Sequence, residues 1–195
     1  MQNLKEHIFF VLGSEDKFEN TDKSSLFVTS DYDLSDTKLD LGGFIYNPAA
    51  VLIPIIEYSD GLKVLFTKRS ENLKHHPGQI SFPGGRVDKC DKSLLETALR
   101  EVKEEIGISS ELIKIVGKLG QHKTATGFII QPYIGFIKAG VGQQIDNSEV
   151  EEIFEVPIEF LCNRKNFRQE FFYCNEEKRS YYVVPYGPYY IWGAI

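Results

Sequence analysis

Hydrophobic and polar positions divide the chain near residue 44. Residues 1–43 are polar and acid-rich, with a short amphipathic helix expected near Leu4 to Leu12. Gly42-Gly43 read as the punctuation before a main domain spanning 44–195. AAVLIPIIEY, Ala49 to Tyr58, is a nearly unbroken apolar run and predicts a buried strand. Asp60-Gly61 supplies a hairpin-type turn, and KVLFTKR, Lys63 to Arg69, is the expected partner strand. A Gly/Pro-rich loop follows, from His75 to Gly85. Then the period changes: Leu95, Ala98, Leu99, Val102 and Ile106 recur at helical spacing and form one apolar face. Ser93 and Glu96 make an S-x-x-E capping box, and Gly107 stands where a helix ends in a left-handed residue. Further strands are expected at 113–119, 128–137, 150–156, 167–173 and 181–184, with a short helix after Pro157. One long helix among many strands predicts an α/β protein, a mixed sheet packed against helices.

Composition narrows the partners. The 195 residues are 42% hydrophobic and 26% charged, as in ordinary globular domains. A net charge of −6 provides no general basic field, so nucleic acid is not an expected partner. No apolar run approaches the ~20 residues that span a bilayer, and Ile8 to Leu12 is too short for a signal-peptide core. No membrane association is expected. Cys90, Cys162 and Cys174 show no CxxC spacing, which points away from a disulfide framework or a zinc site and toward a reducing, cytoplasmic setting. A homodimer is left open. The chain contains no GxxxxGK[ST], so a P-loop enzyme is not supported.

The acidic residues of the helix carry the chemistry. At about 100° per residue, Glu101, Glu104 and Glu105 fall within one sector of roughly 100°. Side chains so spaced approach to ~5–6 Å, and each pair of shielded carboxylates repels by on the order of 2–3 kcal/mol. A hard cation with oxygen ligands, Mg²⁺ or Mn²⁺, removes that repulsion. Taken alone, REVKEE is an ordinary solvated helix face with offsetting charges. Its surroundings change that reading: a Phe-Pro-Gly-Gly turn precedes the helix and Glu-Glu-Ile-Gly closes it.

The stretch from Gly84 to Ile108 resembles the Nudix box, G-x5-E-x7-R-E-U-x-E-E-x-G-U with U aliphatic. Gly85, Arg100, Glu101, Val102, Glu104, Glu105, Gly107 and Ile108 match. Asp91 stands at the first acidic position, and eight residues rather than seven separate it from Arg100. The coenzyme A diphosphatase branch of that superfamily has a similarly lengthened loop. It also carries the signature L-L-T-x-R-[SA]-x3-R-x3-G-x3-F-P-G-G. Here LFTKRSENLKHHPGQISFPGG, Leu65 to Gly85, follows it in register, with Phe66 for Leu and Lys74 for Arg. AAVLIP, TGFIIQPYIG and SEVEEIFEVP are similar to that branch as well. Its members continue past a segment like IWGAI into a terminal helix, so an apolar surface near Ile195 is expected to lack that cover.

The resemblance implies the Nudix fold, an α/β/α sandwich with a mixed β-sheet and a central catalytic loop-helix-loop. It implies hydrolysis of a nucleoside diphosphate derivative, and in this branch of coenzyme A or acyl-CoA, by metal-activated water. The implied metal ligands are Glu101, Glu104 and Glu105, with Mg²⁺ or Mn²⁺. Arg100 is expected to orient a glutamate, with Glu96 one available partner. Glu149 or Glu152 is the loop acid considered for the general base, Glu149 foremost. Arg69, Lys74, Gly84 and Gly85 are the expected substrate contacts, within a basic segment that also holds Lys68, His75 and His76. The aromatic tail, Tyr181 to Trp192, is expected to pack at the core and edges rather than stack on adenine. Two other readings stay open: a Nudix hydrolase of ADP-ribose or a dinucleotide, and a non-catalytic binding module of the same fold.

Overall fold

The hairpin read from Asp60-Gly61 organises the whole sheet. A computed structural model describes residues 45–174 and 177–193, with 4, 5, 8, 28–31, 33 and 34. Gly42-Gly43 lie outside these residues. Of the expected N-terminal helix only Leu4, Lys5 and Ile8 are described, and all three are helical. Strand β1 is Thr29–Ser30; β2, Asn47–Tyr58, and β3, Gly61–Arg69, are the hairpin. They pair only near the turn, from Ile55↔Val64 to Tyr58↔Gly61, and then separate. Two short strands fill the fork: β4, Ile80–Ser81, pairs with β3, and β5, Gly84–Arg86, pairs with β2. Between them the Pro83 carbonyl accepts the Leu52 amide at 2.9 Å. The Gly/Pro-rich loop thus ends inside the sheet as paired backbone.

Helix α1, Leu94–Ile106, follows. Ser93 caps it, accepting from the Glu96 amide at 3.1 Å, and Gly107 ends it at φ 74°. Beyond come β6, Ile113–Lys118; β7, His122–Lys123; β8, Phe128–Lys138; and β9, Val150–Pro157. β8 runs parallel to β2 along its length, from Asn47↔Phe128 to Glu57↔Lys138, and β9 runs antiparallel to β3. The result is a nine-stranded mixed sheet.

Alternation along the strands sorts the two faces. Ala50, Leu52, Ile56 and Leu65 bury against Ala98, Val102 and Ile106 of α1. Val64, Phe66, Phe154 and Val156 turn to the opposite face, where they meet helix α2, Ile158–Cys162, and a second sheet through Val184 and Ile191. The second sheet is β10, Arg168–Cys174; β11, Glu177–Tyr186; and β12, Tyr189–Trp192, all antiparallel. Sequence reading expected its first two strands but not β12, nor their separation from the main sheet. Burying each large apolar side chain of these two clusters contributes roughly 1.5–3 kcal/mol. Among the described residues no helix is long and apolar enough to cross a membrane.

Candidate active site

The paired backbone of β5 sets one wall and α1 the other. Glu101 and Glu105 lie one helical turn apart. The Gly84 amide donates to Glu105 Oε2 at 3.3 Å. A β-carbon on Gly85 would fall 2.4 Å from Glu101 Oε1, so any larger residue there has to displace that carboxylate. Glu105 is 3% exposed. Burial, reinforced by the negative charge of Glu101, pushes its carboxyl up to about 8, against the pull of Arg69 and the Gly84 amide. Burial also raises Glu101, opposed by Arg100. The charge of Glu149 acts on both in the same upward direction.

Arg100 is the hub of the outer side. Its Nε donates to Asp91 Oδ1 at 2.9 Å and its Nη2 to Asp91 Oδ2 at 3.0 Å. Nη1 reaches Glu101 Oε1 at 2.9 Å and Glu104 Oε2 at 2.8 Å, while Nη2 also donates to the Arg86 carbonyl at 3.1 Å. Asp91 takes further bonds from Thr97 Oγ1 at 2.9 Å and from the Asp88 amide at 2.8 Å. The guanidinium holds the Asp91 carboxyl well below the usual carboxylate range. Glu96, one available partner of Arg100 by spacing, instead accepts the Lys92 amide at 2.7 Å. The i−4 geometry permitted that pairing, but the helix N-terminus offers Glu96 a nearer unsatisfied donor.

The three box glutamates are not equivalent. Glu101 and Glu105 turn inward, whereas the Glu104 side chain is 58% exposed and tied to Arg100. Among the described residues no three acidic, His or Cys side chains converge as a ready metal cage. Arg69 lies close enough to Glu105 to lower its pKa, and among the described residues its buried Nε meets no hydrogen-bond acceptor. Lys68, its neighbour, is occupied by Glu151 at 3.1 Å. A break in β3–β9 register between Lys68 and Arg69 leaves Glu151 as the extra residue. Lys74, His75 and His76 are exposed on the loop. Glu149 is held by its backbone, which accepts the Ser70 amide at 2.9 Å. Glu152 accepts the Tyr189 hydroxyl instead. Tyr189 in turn stacks on Phe154 at 3.6 Å, and Tyr181 packs 5.2 Å from Trp192. Sequence reading missed Asp91 as the partner of Arg100; its place at the first acidic box position was the available signal.

The NUDIX domain model matches residues 46–173, the same span that carries the fork, the helix and the carboxylates. This chain belongs to the NUDIX family. The Nudix assignment is matched by relatives named uncharacterized Nudix hydrolase NudL. The protein of that name from Pectobacterium atrosepticum is 35% identical over 145 residues, covering 74% of this chain and 75% of the relative. The one from Citrobacter koseri is 35% identical over 146 residues, with the same coverage. Among solved structures, the Nudix hydrolase RenU from M. smegmatis superposes with a TM-score of 0.50 at 17% identity. That superposition covers 60% of this chain and 73% of RenU, and it bears on the fold alone. The architecture is the Nudix α/β/α sandwich, with the second sheet added to the face opposite α1.

Nudix hydrolases generally use divalent metal ions such as Mg²⁺ or Mn²⁺. The donor set here fits such an ion. Two carboxylates lie against a glycine backbone with no β-carbon between, and burial with its neighbour's charge raises the Glu105 carboxyl, a penalty on its ionised form that a cation between the two would offset.

Proposed function

We propose that this Nudix hydrolase cleaves the diphosphate of coenzyme A or acyl-CoA, giving 3′,5′-ADP and (acyl-)4′-phosphopantetheine. The observation that carries the reading is the run from Leu65 to Gly85. It follows the coenzyme A signature in register, and its Arg69 ends beside Glu105 with a buried, unanswered Nε.

Glu101 and Glu105 would hold the metal ion in this reading, with Glu104 available from the exposed side. An ion held there would neutralise charge on the diphosphate and lower the pKa of a water. The chain supplies the rest. Arg69 offers its guanidinium fork to a phosphoryl oxygen. Gly84 and Gly85 let phosphate approach the backbone, and Lys74 meets the substrate from the loop. Arg100, fixed by Asp91, orients Glu101 as a positioning residue. Glu149 accepts the proton of the attacking water. Water oxygen bonds to phosphorus, the bridging P–O bond breaks, and the two fragments leave as phosphomonoesters.

A second reading keeps the same machinery and changes the leaving group to that of ADP-ribose or a dinucleotide. The deciding experiment incubates the protein with coenzyme A and Mg²⁺ or Mn²⁺ and separates the products by chromatography. Release of both fragments by wild type, and not by a folded Glu105→Gln variant, supports the proposal. Faster cleavage of ADP-ribose or a dinucleotide than of coenzyme A would replace it with the second reading.

A further inference from the structure

Arg86 follows Gly85 directly, and alternation along β5 turns its side chain to the face opposite Glu101. There its guanidinium carbon lies 4.7 Å from the centre of the Phe128 ring. Phe128 opens β8 beside Asn47 of β2, so the pair sits at the same end of the sheet as the glycine turn. The carbonyl of Arg86 is itself bonded to Arg100, which touches Glu101.

Two of the neighbouring cations are held in ion pairs and a third faces the carboxylates. Lys68 is paired with Glu151, and Arg100 with Asp91, Glu101 and Glu104, while Arg69 lies against Glu105. Arg86 differs. It is exposed, and among the described residues its side chain meets no carboxylate and no hydrogen-bond acceptor. A ring contact restrains the long side chain without using its N–H donors. What is left is a pre-positioned, unsatisfied fork that matches two oxygens of one phosphate group. Its attachment one residue beyond the phosphate-facing glycines places it next to whatever the diphosphate is bonded to.

We propose that Arg86, braced on Phe128, binds a phosphomonoester that the substrate carries outside its diphosphate, on the adjoining ribose. This rests on the coenzyme A reading, whose substrate bears such a group, and it names the contact that selects it.

Two measurements test it. In the first, binding of adenosine 3′,5′-bisphosphate and of AMP is followed by calorimetry, without metal, for wild type and for Arg86→Met. The methionine keeps an apolar cover on Phe128. Wild type is expected to prefer the bisphosphate by about tenfold or more, and the variant to bind the two within about twofold. In the second, kcat/KM is compared for coenzyme A and dephospho-coenzyme A, and the variant is expected to lose most of the wild-type preference. Absence of any preference in wild type, or its survival in Arg86→Met, overturns the proposal. If wild type hydrolyses neither compound yet its bisphosphate preference depends on Arg86, the phosphomonoester site stands and the reaction assigned above falls.

Discussion

Arg100 and Asp91 face each other in a two-point ion pair, Nε to Oδ1 at 2.9 Å and Nη2 to Oδ2 at 3.0 Å, with the Asp91 side chain only 2% exposed. The pair links the loop before α1 to the helix that carries Glu101. Asp91→Asn is expected to destabilise the fold by about 1–3 kcal/mol in urea unfolding, because Arg100 loses a charged partner. Asp91 has a lowered folded pKa, so its contribution is present above the ordinary aspartate value near ~4 and fades as pH falls below it. Thermal melts from pH 6 downward should therefore show an acid-side loss in wild type that is smaller in Asp91→Asn; identical slopes would refute the assignment.

Glu105 shifts in the other direction, up to about 8. Between the ordinary glutamate value and about 8 the folded protein holds a proton there that the unfolded chain releases, so metal-free stability declines with rising pH across that window. A divalent ion held by Glu105, as proposed, would displace that proton. Affinity for Mn²⁺ should rise with pH, approaching tenfold per unit, and level off above about pH 8. In Glu105→Gln both slopes should flatten, as read by melts of metal-free protein and by calorimetric titration.

Neighbouring glycines should fail in different ways. A β-carbon on Gly84 would strike backbone, the Ala50 carbonyl at 2.4 Å and Val51 Cα at 2.6 Å, so Gly84→Ala should lower the melting temperature. On Gly85 it meets only the mobile end of Glu101. Gly85→Ala should keep most of its stability while losing metal affinity and activity by tenfold or more. Equal melting losses in the two variants would contradict this division.

Arg69 gives a third kind of loss. Among the described residues its Nε has no acceptor, so Arg69→Lys should cost little stability while lowering kcat/KM by roughly tenfold or more. Removing the charge altogether, in Arg69→Met, should move the pH dependence of metal affinity upward, since Arg69 now pulls Glu105 down. A downward shift would show that Arg69 does not face that carboxylate.

The elements that were legible in the sequence are those with a repeating physical signal. Ser93, the apolar stripe and Gly107 delimit a helix because cap, period and left-handed end agree. The hairpin and the long strands follow from apolar runs bounded by a turn. β4 and β5 were not legible, because two or three residues carry no period; they are strands only because β2 and β3 splay apart to receive them. β12 was hidden by its likeness to any aromatic tail. The helical wheel placed three glutamates in one sector, yet it carried no information on which would turn outward. That depends on Arg100 reaching Glu104, and on Asp91 arriving from a loop with no periodic geometry.

The fork between β2 and β3 bears on how this chain accommodates its extra loop residue. Strand pairing pins the loop at Arg86, and the Ser93 cap pins it at the helix. Between two such moorings an added residue changes the closure entropy by only a few tenths of a kcal/mol and cannot slide either end. Val87 to Lys92 therefore runs between two fixed ends, and its one tether to the middle of the helix is Asp91, which holds Arg100 beside Glu101. Length there is tolerated only as far as Asp91 still reaches Arg100, so the aspartate is the gauge against which an added residue is measured.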